Sequence, residues 1–237
     1  MFINTDHRTN AAEVMDDFAM EGEMLREALD KIAKINQFLG GNKLTLQGVE
    51  SLISKRISNK QLVIVDIGCG NGDMLRTLAD YAADNDLNFK LIGIDANPFT
   101  INYASTLSSH YPNISYQCDD IFDSNFKTLK YDIVLSTLTL HHFKDDEIIK
   151  LMDVFFKNAS IGIVINDLHR SAISYRLFQG LCFVFRLNAM SREDGLVSIL
   201  RGFKKEELQT YSKILNLSKY TIDWKWAFRY QWIIQKN

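Results

Sequence analysis

The stretch LVIVDIGCGNGD (62–73) decides the fold that this chain is expected to adopt. Its first half is a run of β-branched and apolar residues, which is typical of a strand buried on both faces of a parallel sheet. Its second half places Gly68, Gly70 and Gly72 between that strand and an amphipathic helix. Glycines let a backbone approach a ligand closely, and free N–H groups at a helix start attract polar or anionic groups. The stretch therefore predicts a strand, a ligand-binding turn and a helix.

The alternation of strand and helix continues downstream. Further strands are predicted at 90–95, 114–119, 131–136 and 161–167, with helices at about 98–109 and 145–157 between them. Two last β-like segments, 219–224 and 228–235, lie too close together for a helical crossover, so they should pair antiparallel. The pattern predicts an α/β fold with a Rossmann-like seven-stranded, mostly parallel sheet, an antiparallel C-terminal hairpin and helices on both faces.

Composition limits the class of protein. The 237 residues are 46% hydrophobic and 24% charged, which is typical of a soluble globular protein with one full α/β core. The net charge of −2 gives no general attraction to nucleic acid, so no nucleic-acid partner is expected. No signal peptide is predicted, and the apolar stretch 177–187 is too short to span a bilayer.

Cysteine usage indicates the compartment. Cys69, Cys118 and Cys182 show no metal-binding spacing, and any disulfide would leave one of them unpaired. A reducing, cytoplasmic location is therefore expected.

Acidic residues stand where the first three strands end. A dinucleotide-binding turn, G-x-G-x-x-G, would need glycine at position 73, where this chain has Asp73. The chain instead reads D-x-G-x-G-x-G from Asp66, followed by Asp95 at the end of the second strand and Asp119 at the end of the third. In its residues, order and spacing, the segment 61–170 resembles class I S-adenosylmethionine-dependent methyltransferases.

The resemblance implies a cofactor and a set of residues that bind it. In that family the glycine loop lies against the methionine portion of S-adenosylmethionine, and the first acid helps to hold its amino group. The second acid accepts hydrogen bonds from the ribose, and the third-strand motif surrounds the adenine. The cofactor-binding residues implied here are Asp66, Gly68, Gly70, Asn71, Gly72, Asp95, Ala96, Asp119, Asp120, Ile121 and Ser136. The expected product of the cofactor is S-adenosylhomocysteine.

Histidines follow the fourth and fifth strands, where such sheets bind their ligands. An imidazole titrates near neutral pH, so it suits a base that takes a proton from the acceptor. His141 is the first candidate catalytic residue and His169 the second, while catalysis by positioning alone stays open. His142 is expected to cap the helix that begins near Lys144 or Asp145.

Several methyltransferase classes are disfavoured by their missing signatures. DNA adenine enzymes carry N/D-P-P-Y/F after strand four, where this chain has STLT (136–139), and no proline precedes a cysteine as in cytosine-C5 enzymes. Catechol-type enzymes bind magnesium through an acid at the place of Ser136, so no metal is expected. Five arginines in the stretch 168–202 either form the solvated face of a lid or pair an anionic acceptor group. They are Arg170, Arg176, Arg186, Arg192 and Arg201.

The sequence as a whole predicts two parts. Apolar residues at near-helical spacing from Val14 and Phe18 onward predict an N-terminal helical lid over residues 1–58. Residues 59–237 are expected to form the methyltransferase domain, with 168–202 as a helical insertion in the acceptor site. The expected reaction is methyl transfer to oxygen or carbon of a small, apolar or aromatic metabolite, free or carrier-bound. An RNA methyltransferase and a non-catalytic S-adenosylmethionine-binding module remain alternatives, and the oligomeric state is not predicted.

Overall fold

A seven-stranded sheet forms the centre of the computed structural model, which describes residues 3–53 and 60–236. The strands are β1 (Leu62–Ile67), β2 (Phe89–Asp95), β3 (Ile114–Cys118), β4 (Tyr131–Thr137), β5 (Ala159–Leu168), β6 (Tyr220–Lys225) and β7 (Arg229–Gln235). Their order is β3-β2-β1-β4-β5-β7-β6, and the first five are parallel. β7 is antiparallel to both β5 and β6. The predicted fold class is confirmed.

Helices cover both faces of the sheet. The helices of the described chain are α1 (Glu23–Phe38), α2 (Gly41–Ile53), α3 (Asp73–Asp84), α4 (Pro98–Leu107), α5 (Ser124–Thr128), α6 (Asp145–Asn158), α7 (Ala172–Val184), α8 (Ala189–Arg201) and α9 (Lys205–Ile214). One core cluster joins the sheet to α6 and α9 through Phe155, Leu208 and the fully buried Trp232. A second core joins the opposite face to α2 and α3 through Leu52 and Leu78.

Parallel pairing brings polar residues to one edge of the sheet. Asp66 pairs with Gly93 of β2 and with Leu135 of β4, so β1, β2 and β4 end at the same level. Asn166 of β5 donates to the backbone oxygen of Gly41 at 3.0 Å, which holds the start of α2 over this edge. Residues that follow the strands therefore meet under α1 and α2.

The helical prediction is wrong for residues 3–22. Only a 3₁₀ turn at Val14–Asp16 forms there, and α1 begins after Gly22, which has φ 90°. Val14 and Phe18 are about half exposed, so their spacing does not mark a buried helical face. The N–H groups of Val14 and Met15 instead donate to the Asp194 carboxylate of α8 at 2.8 and 3.1 Å.

The structure contains the predicted helical insertion but does not describe the predicted domain boundary. Residues 168–202 contain α7 and α8, as the sequence predicts, and the two helices pack together. The boundary between residues 58 and 59 lies outside the described residues, so the division into lid and domain stays a prediction. Within the described ranges, no helix combines the length and the apolar character that crossing a bilayer would need.

Candidate active site

A cavity of about 670 Å³ opens at the carboxyl edge of the sheet. Its floor comes from the ends of β1, β2, β4 and β5, and its walls come from α1, α7, α8 and the segment 13–18. Most of the predicted cofactor-binding residues line it. Those that do are Asp66, Gly68, Gly70, Asn71, Asp95, Ala96, Asp119, Asp120 and Ile121. Gly72 and Ser136 do not, because Gly72 faces Tyr116 and Ser136 is buried within β4.

The turn after β1 has a backbone that requires glycine. Gly68, Gly70 and Gly72 have φ values of +65°, +52° and +77°, in the left-handed region that side chains disfavour. A Cβ on Gly68 would overlap the side chain of Thr139, and one on Gly70 would come no closer than 3.8 Å to Leu29. The turn therefore presents bare backbone to the cavity at Gly70.

Asp66 has a carboxylate that the protein itself does not neutralise. Its side chain is 2% exposed, and Oδ1 has no hydrogen-bond partner among the residues that the structure describes. Burial, followed by repulsion from Asp73 and Asp95, raises the pKa of Asp66 well above its ordinary value. A cationic group bound beside Asp66 would stabilise the ionised carboxylate.

Asp95 lies at the end of β2 with both oxygens turned toward backbone donors. Oδ2 accepts from the Gly70 N–H at 3.2 Å and Oδ1 from the Asn97 N–H at 3.1 Å. Burial raises the pKa of Asp95 in spite of these bonds. Each oxygen keeps a further lone pair for a ligand hydroxyl. The Asp119 N–H donates to the Asp95 carbonyl oxygen at 3.2 Å, so β2 and β3 end side by side.

His141, which lines the cavity, and Asp167 of β5 form a buried pair. His141 Nδ1 lies 2.7 Å from Asp167 Oδ1, and the His141 N–H donates to Oδ2 at 3.1 Å. Burial alone would raise the pKa of Asp167. The His141 imidazole and the Leu168 N–H lower this pKa by a larger amount, so the net shift is downward. An ionised carboxylate only accepts, so in the neutral ring Nδ1 carries the proton and Nε2 has the lone pair.

That lone pair is available for chemistry. His141 lines the cavity, and its Nε2 has no hydrogen-bond partner in the part of the chain that is described. Glu13 Oε1 lies 4.0 Å from this Nε2, which is too far for a hydrogen bond. Burial raises the pKa of Glu13, which also accepts from Ser198 at 2.8 Å. The arrangement suits a general base at His141 Nε2.

His142 does not cap a helix. Its Nδ1 lies 2.8 Å from Asp16 Oδ1, while the Lys144 N–H at the start of α6 is bonded by Glu147. Glu13, His141 and His142 offer ligand atoms within 4.8 Å of one another, a spacing that could hold a metal. The Arg201 guanidinium bonds Glu13 at 3.2 Å and lies 3.3 Å from His142 Nδ1, and its charge opposes a cation there. The absence of a metal stays a prediction.

His169 also lines the cavity but faces it with a different atom. Trp224 Nε1 donates to its Nδ1 at 3.1 Å, so Nε2 carries the proton of the neutral ring. Burial, followed by the charges of Lys204 and Arg170, lowers the pKa of His169. The ring stacks on Phe228. His169 is therefore built to donate a hydrogen bond rather than to accept a proton.

The five arginines of 168–202, all of them described, do not line the cavity. Arg170 is fully buried and bonds Glu207 at 2.7 Å, and Arg201 bonds Asp16 at 2.8 Å. Arg176, Arg186 and Arg192 are exposed. The expectation that this set pairs an anionic acceptor is not supported, and the solvated-face alternative fits only the three exposed ones.

One arginine that sequence reasoning missed does line the cavity. Arg229 begins β7 and is 3% exposed. The available signal was the one charged residue in the predicted strand FRYQWIIQ (228–235), where inward and outward positions could not be told apart.

The family comparison falls on the residues that build this edge of the sheet. A family model described as a methyltransferase domain matches residues 64–159. The match runs from β1 to the end of α6, so it includes the glycine turn and His141. It confirms the methyltransferase resemblance for this segment.

Two curated relatives each match part of the chain. The protein-lysine N-methyltransferase EFM4 of Saccharomyces cerevisiae is 39% identical over 95 residues, 39% of this chain and 39% of that protein. The malonyl-acyl-carrier-protein O-methyltransferase of Acetivibrio thermocellus is 28% identical over 116 residues, 49% of this chain and 36% of that protein. The chain thus matches less than half the length of either relative.

Solved structures resemble the chain over most of its length. The plantazolicin methyltransferase BpumL in complex with SAH has a TM-score of 0.66 at 18% identity, covering 88% of this chain and 89% of that one. The magnesium protoporphyrin IX methyltransferase of Synechocystis PCC 6803 has a TM-score of 0.54 at 15% identity, covering 85% of each chain. At these identities the likeness shows the fold alone.

Proposed function

We propose that the protein is an S-adenosylmethionine-dependent methyltransferase that methylates oxygen or carbon of a small, apolar or aromatic acceptor. The observation that carries this proposal is one cavity lined by Asp66 and Asp95 and also by His141, whose Nε2 has no partner among the described residues. We assign Asp66 and Asp95, on β1 and β2, to a cofactor end, and His141, which follows β4 and bonds Asp167 of β5, to an acceptor end. The matched methyltransferase domain, and relatives and neighbours with this activity, support it.

The residues at the first end fit this cofactor. Its amino group would supply the positive charge that the buried Asp66 carboxylate needs. Its ribose hydroxyls would donate to Asp95. The bare backbone at Gly70 leaves room for the methionine portion of the cofactor, which connects the amino group to the ribose. S-adenosylmethionine, when bound, would supply a methyl group on a sulfonium sulfur. The acceptor attacks the methyl carbon in line with the carbon–sulfur bond, and S-adenosylhomocysteine leaves.

The residues at the second end prepare the acceptor. His141 Nε2 takes the proton of an acceptor hydroxyl or activated carbon, and Asp167 holds the ring and stabilises its protonated form. The cavity is covered by α1, α7, α8 and the segment 13–18, which exclude water from the reacting groups. In this proposal residues 1–58 and 168–202 act as the lid that selects the acceptor.

The alternatives are weaker on specific grounds. RNA binding rested on the arginines of 168–202, but Arg170 and Arg201 are buried against carboxylates, which leaves only the exposed Arg176, Arg186 and Arg192 to contact phosphates. A non-catalytic binding module would not need an open acceptor end with an unbonded His141 Nε2. A protein lysine, the acceptor named for one relative, would bring an amine toward the cationic Arg229. Cys69, Cys118 and Cys182 are free thiols, which favours a reducing cytoplasm.

Labelled cofactor tests the proposal. The purified protein is incubated with methyl-labelled S-adenosylmethionine and a small-molecule extract, and labelled products are identified by mass. We expect a labelled small molecule from the wild type and a product yield at least about a hundredfold lower from His141→Ala, with unchanged S-adenosylhomocysteine affinity. No calorimetric binding of either cofactor form would contradict the proposal, and label found only on protein or RNA would contradict the acceptor class.

A further inference from the structure

Arg229 carries a buried charge that the protein leaves without a direct partner. The residue begins β7, is 3% exposed and lines the cavity. Its Nε and Nη1 are buried and have no hydrogen-bond partner among residues 3–53 and 60–236. Its Cζ lies close to Gly41, where α1 gives way to α2. A buried polar group without a partner costs free energy, so this one calls for an explanation.

The guanidinium remains charged in spite of its burial. Burial lowers the pKa of Arg229 to about 10, which is still far above neutral, and the nearby Asp167 opposes that shift. Asp167 is not a direct partner: its oxygens accept from His141 and from the Leu168 N–H at 2.7 Å, and among the described residues it forms no ion pair with Arg229. The neighbouring carboxylate thus compensates the charge only through space.

The position of Arg229 assigns it to the acceptor end. In the sheet order, β4 and β5 separate β7 from β1, three strand spacings or about 14 Å across the sheet. Asp66 and Asp95, the residues of the cofactor end, stand on β1 and β2. Arg229 pairs in register with Leu168, the residue after Asp167, so it stands beside the end of β5, the strand whose Asp167 bonds His141. α7 contributes apolar side chains to the wall of the same cavity, namely Leu177, Phe178 and Leu181.

We propose that Arg229 binds a carboxylate of the acceptor through paired N–H groups. The acceptor is then an amphipathic carboxylic acid whose apolar body lies against α7 and whose nucleophile reaches His141. A planar carboxylate matches the fork of one guanidinium and balances its single charge. A phosphate dianion would bring excess negative charge close to Asp167 and Glu13. The inference rests on the proposed function, because it names the substrate class of that site.

Thermal unfolding with simple probes tests it. Protein loaded with S-adenosylhomocysteine is titrated with benzoate and with benzamide at constant ionic strength. We expect benzoate to raise the Tm of the wild type and benzamide to leave it unchanged. In Arg229→Met the benzoate affinity falls about tenfold or more, and Arg229→Lys recovers part of it. Arg192→Met, which removes an exposed arginine outside the cavity, serves as the matched control and keeps the full response.

Three outcomes would overturn the inference. The Tm shift caused by benzoate could persist in Arg229→Met, benzoate and benzamide could shift the Tm of the wild type equally, or phenyl phosphate could shift it more than benzoate does. Loss of S-adenosylhomocysteine binding in Arg229→Met would assign the guanidinium to the cofactor instead. Because removing an unpartnered buried charge does not destabilise a fold, Arg229→Met should match the wild-type Tm without ligands. A wild type that binds benzoate through Arg229 but no cofactor would refute the proposed function alone.

Discussion

Asp66 places a buried carboxylate where only a bound cation can compensate it. In Asp66→Asn we expect the ligand-free protein to unfold at the same or a higher temperature, because the buried acid has no partner for Oδ1. S-adenosylmethionine affinity should fall about tenfold or more, since the attraction to its amino group is lost. Calorimetry and thermal unfolding measure the two effects. Asp84→Asn, at the exposed end of α3, is the control, and equal affinity in both variants would refute the amino-group assignment.

Asp167 sets which nitrogen of His141 is free. In Asp167→Asn the new amide can donate to Nδ1, so the ring proton moves to Nε2 and the base loses its lone pair. We expect turnover of the identified acceptor to fall about 10²- to 10⁴-fold with unchanged cofactor affinity. Nitrogen NMR of the ring reports the tautomer directly. Asp153→Asn, in an exposed ion pair of α6, should change neither readout, and an unchanged His141 tautomer in Asp167→Asn would contradict the assignment.

At the scale of elements, the sequence predicts best what depends on nearby residues. Strand β1 and the turn after it follow from a β-branched run and three glycines, and the structure places β1 at Leu62–Ile67, the first half of that stretch. The segment 3–22 could not be predicted, because its backbone bonds Asp194, about 180 residues away. Arg229 was missed for the same reason. Only the register of β7 with β5 turns its position into a cavity wall.

The N-terminal segment is held over the site by charge, and this can be tested. Asp16 bonds Arg201 at 2.8 Å and His142 at 2.8 Å. Burial alone would raise the pKa of Asp16, but these bonds lower it by a larger amount, so the pKa lies below its ordinary range. A depressed folded-state pKa gives stability that is present above about pH 3.9, the unfolded value, and lost only as the pH falls through the folded one.

We therefore expect the segment to stay closed across the neutral range and to open in Asp16→Ala. Hydrogen exchange of the amides of residues 13–16 should become roughly tenfold faster, because the bonds that close the segment are lost. Asp17→Ala is the matched control, since its exposed carboxylate bonds only Ala19 within the same segment. Equal exchange in the two variants would mean that other contacts hold the segment.

Across the whole molecule, the cavity divides charge between its two ends. The cofactor end gathers Asp66, Asp73 and Asp95, whose mutual repulsion adds to burial in raising the pKa of Asp66. The acceptor end carries the cation Arg229 beside the pair of His141 and Asp167. A ligand with an amino group at one end and a carboxylate-bearing acceptor at the other would neutralise both. In this proposal the two substrates, rather than folding, compensate the buried charges of the cavity.

The pH dependence of cofactor binding follows from this division. Asp66 and Asp95 have folded pKa values above their ordinary ones, so without ligand their contribution to stability falls as the pH rises from about 3.9 toward those values. Bound S-adenosylhomocysteine brings an amino cation that favours the ionised form, so its stabilising effect should grow over the same interval. The Tm difference with and without ligand, measured from pH 4 to 8, isolates this effect because Asp16 and Asp167 contribute equally to both curves. In Asp66→Asn the difference should grow less steeply with pH, because only the part due to Asp95 remains, and a slope equal to that of the wild type would show that Asp66 does not face the amino group.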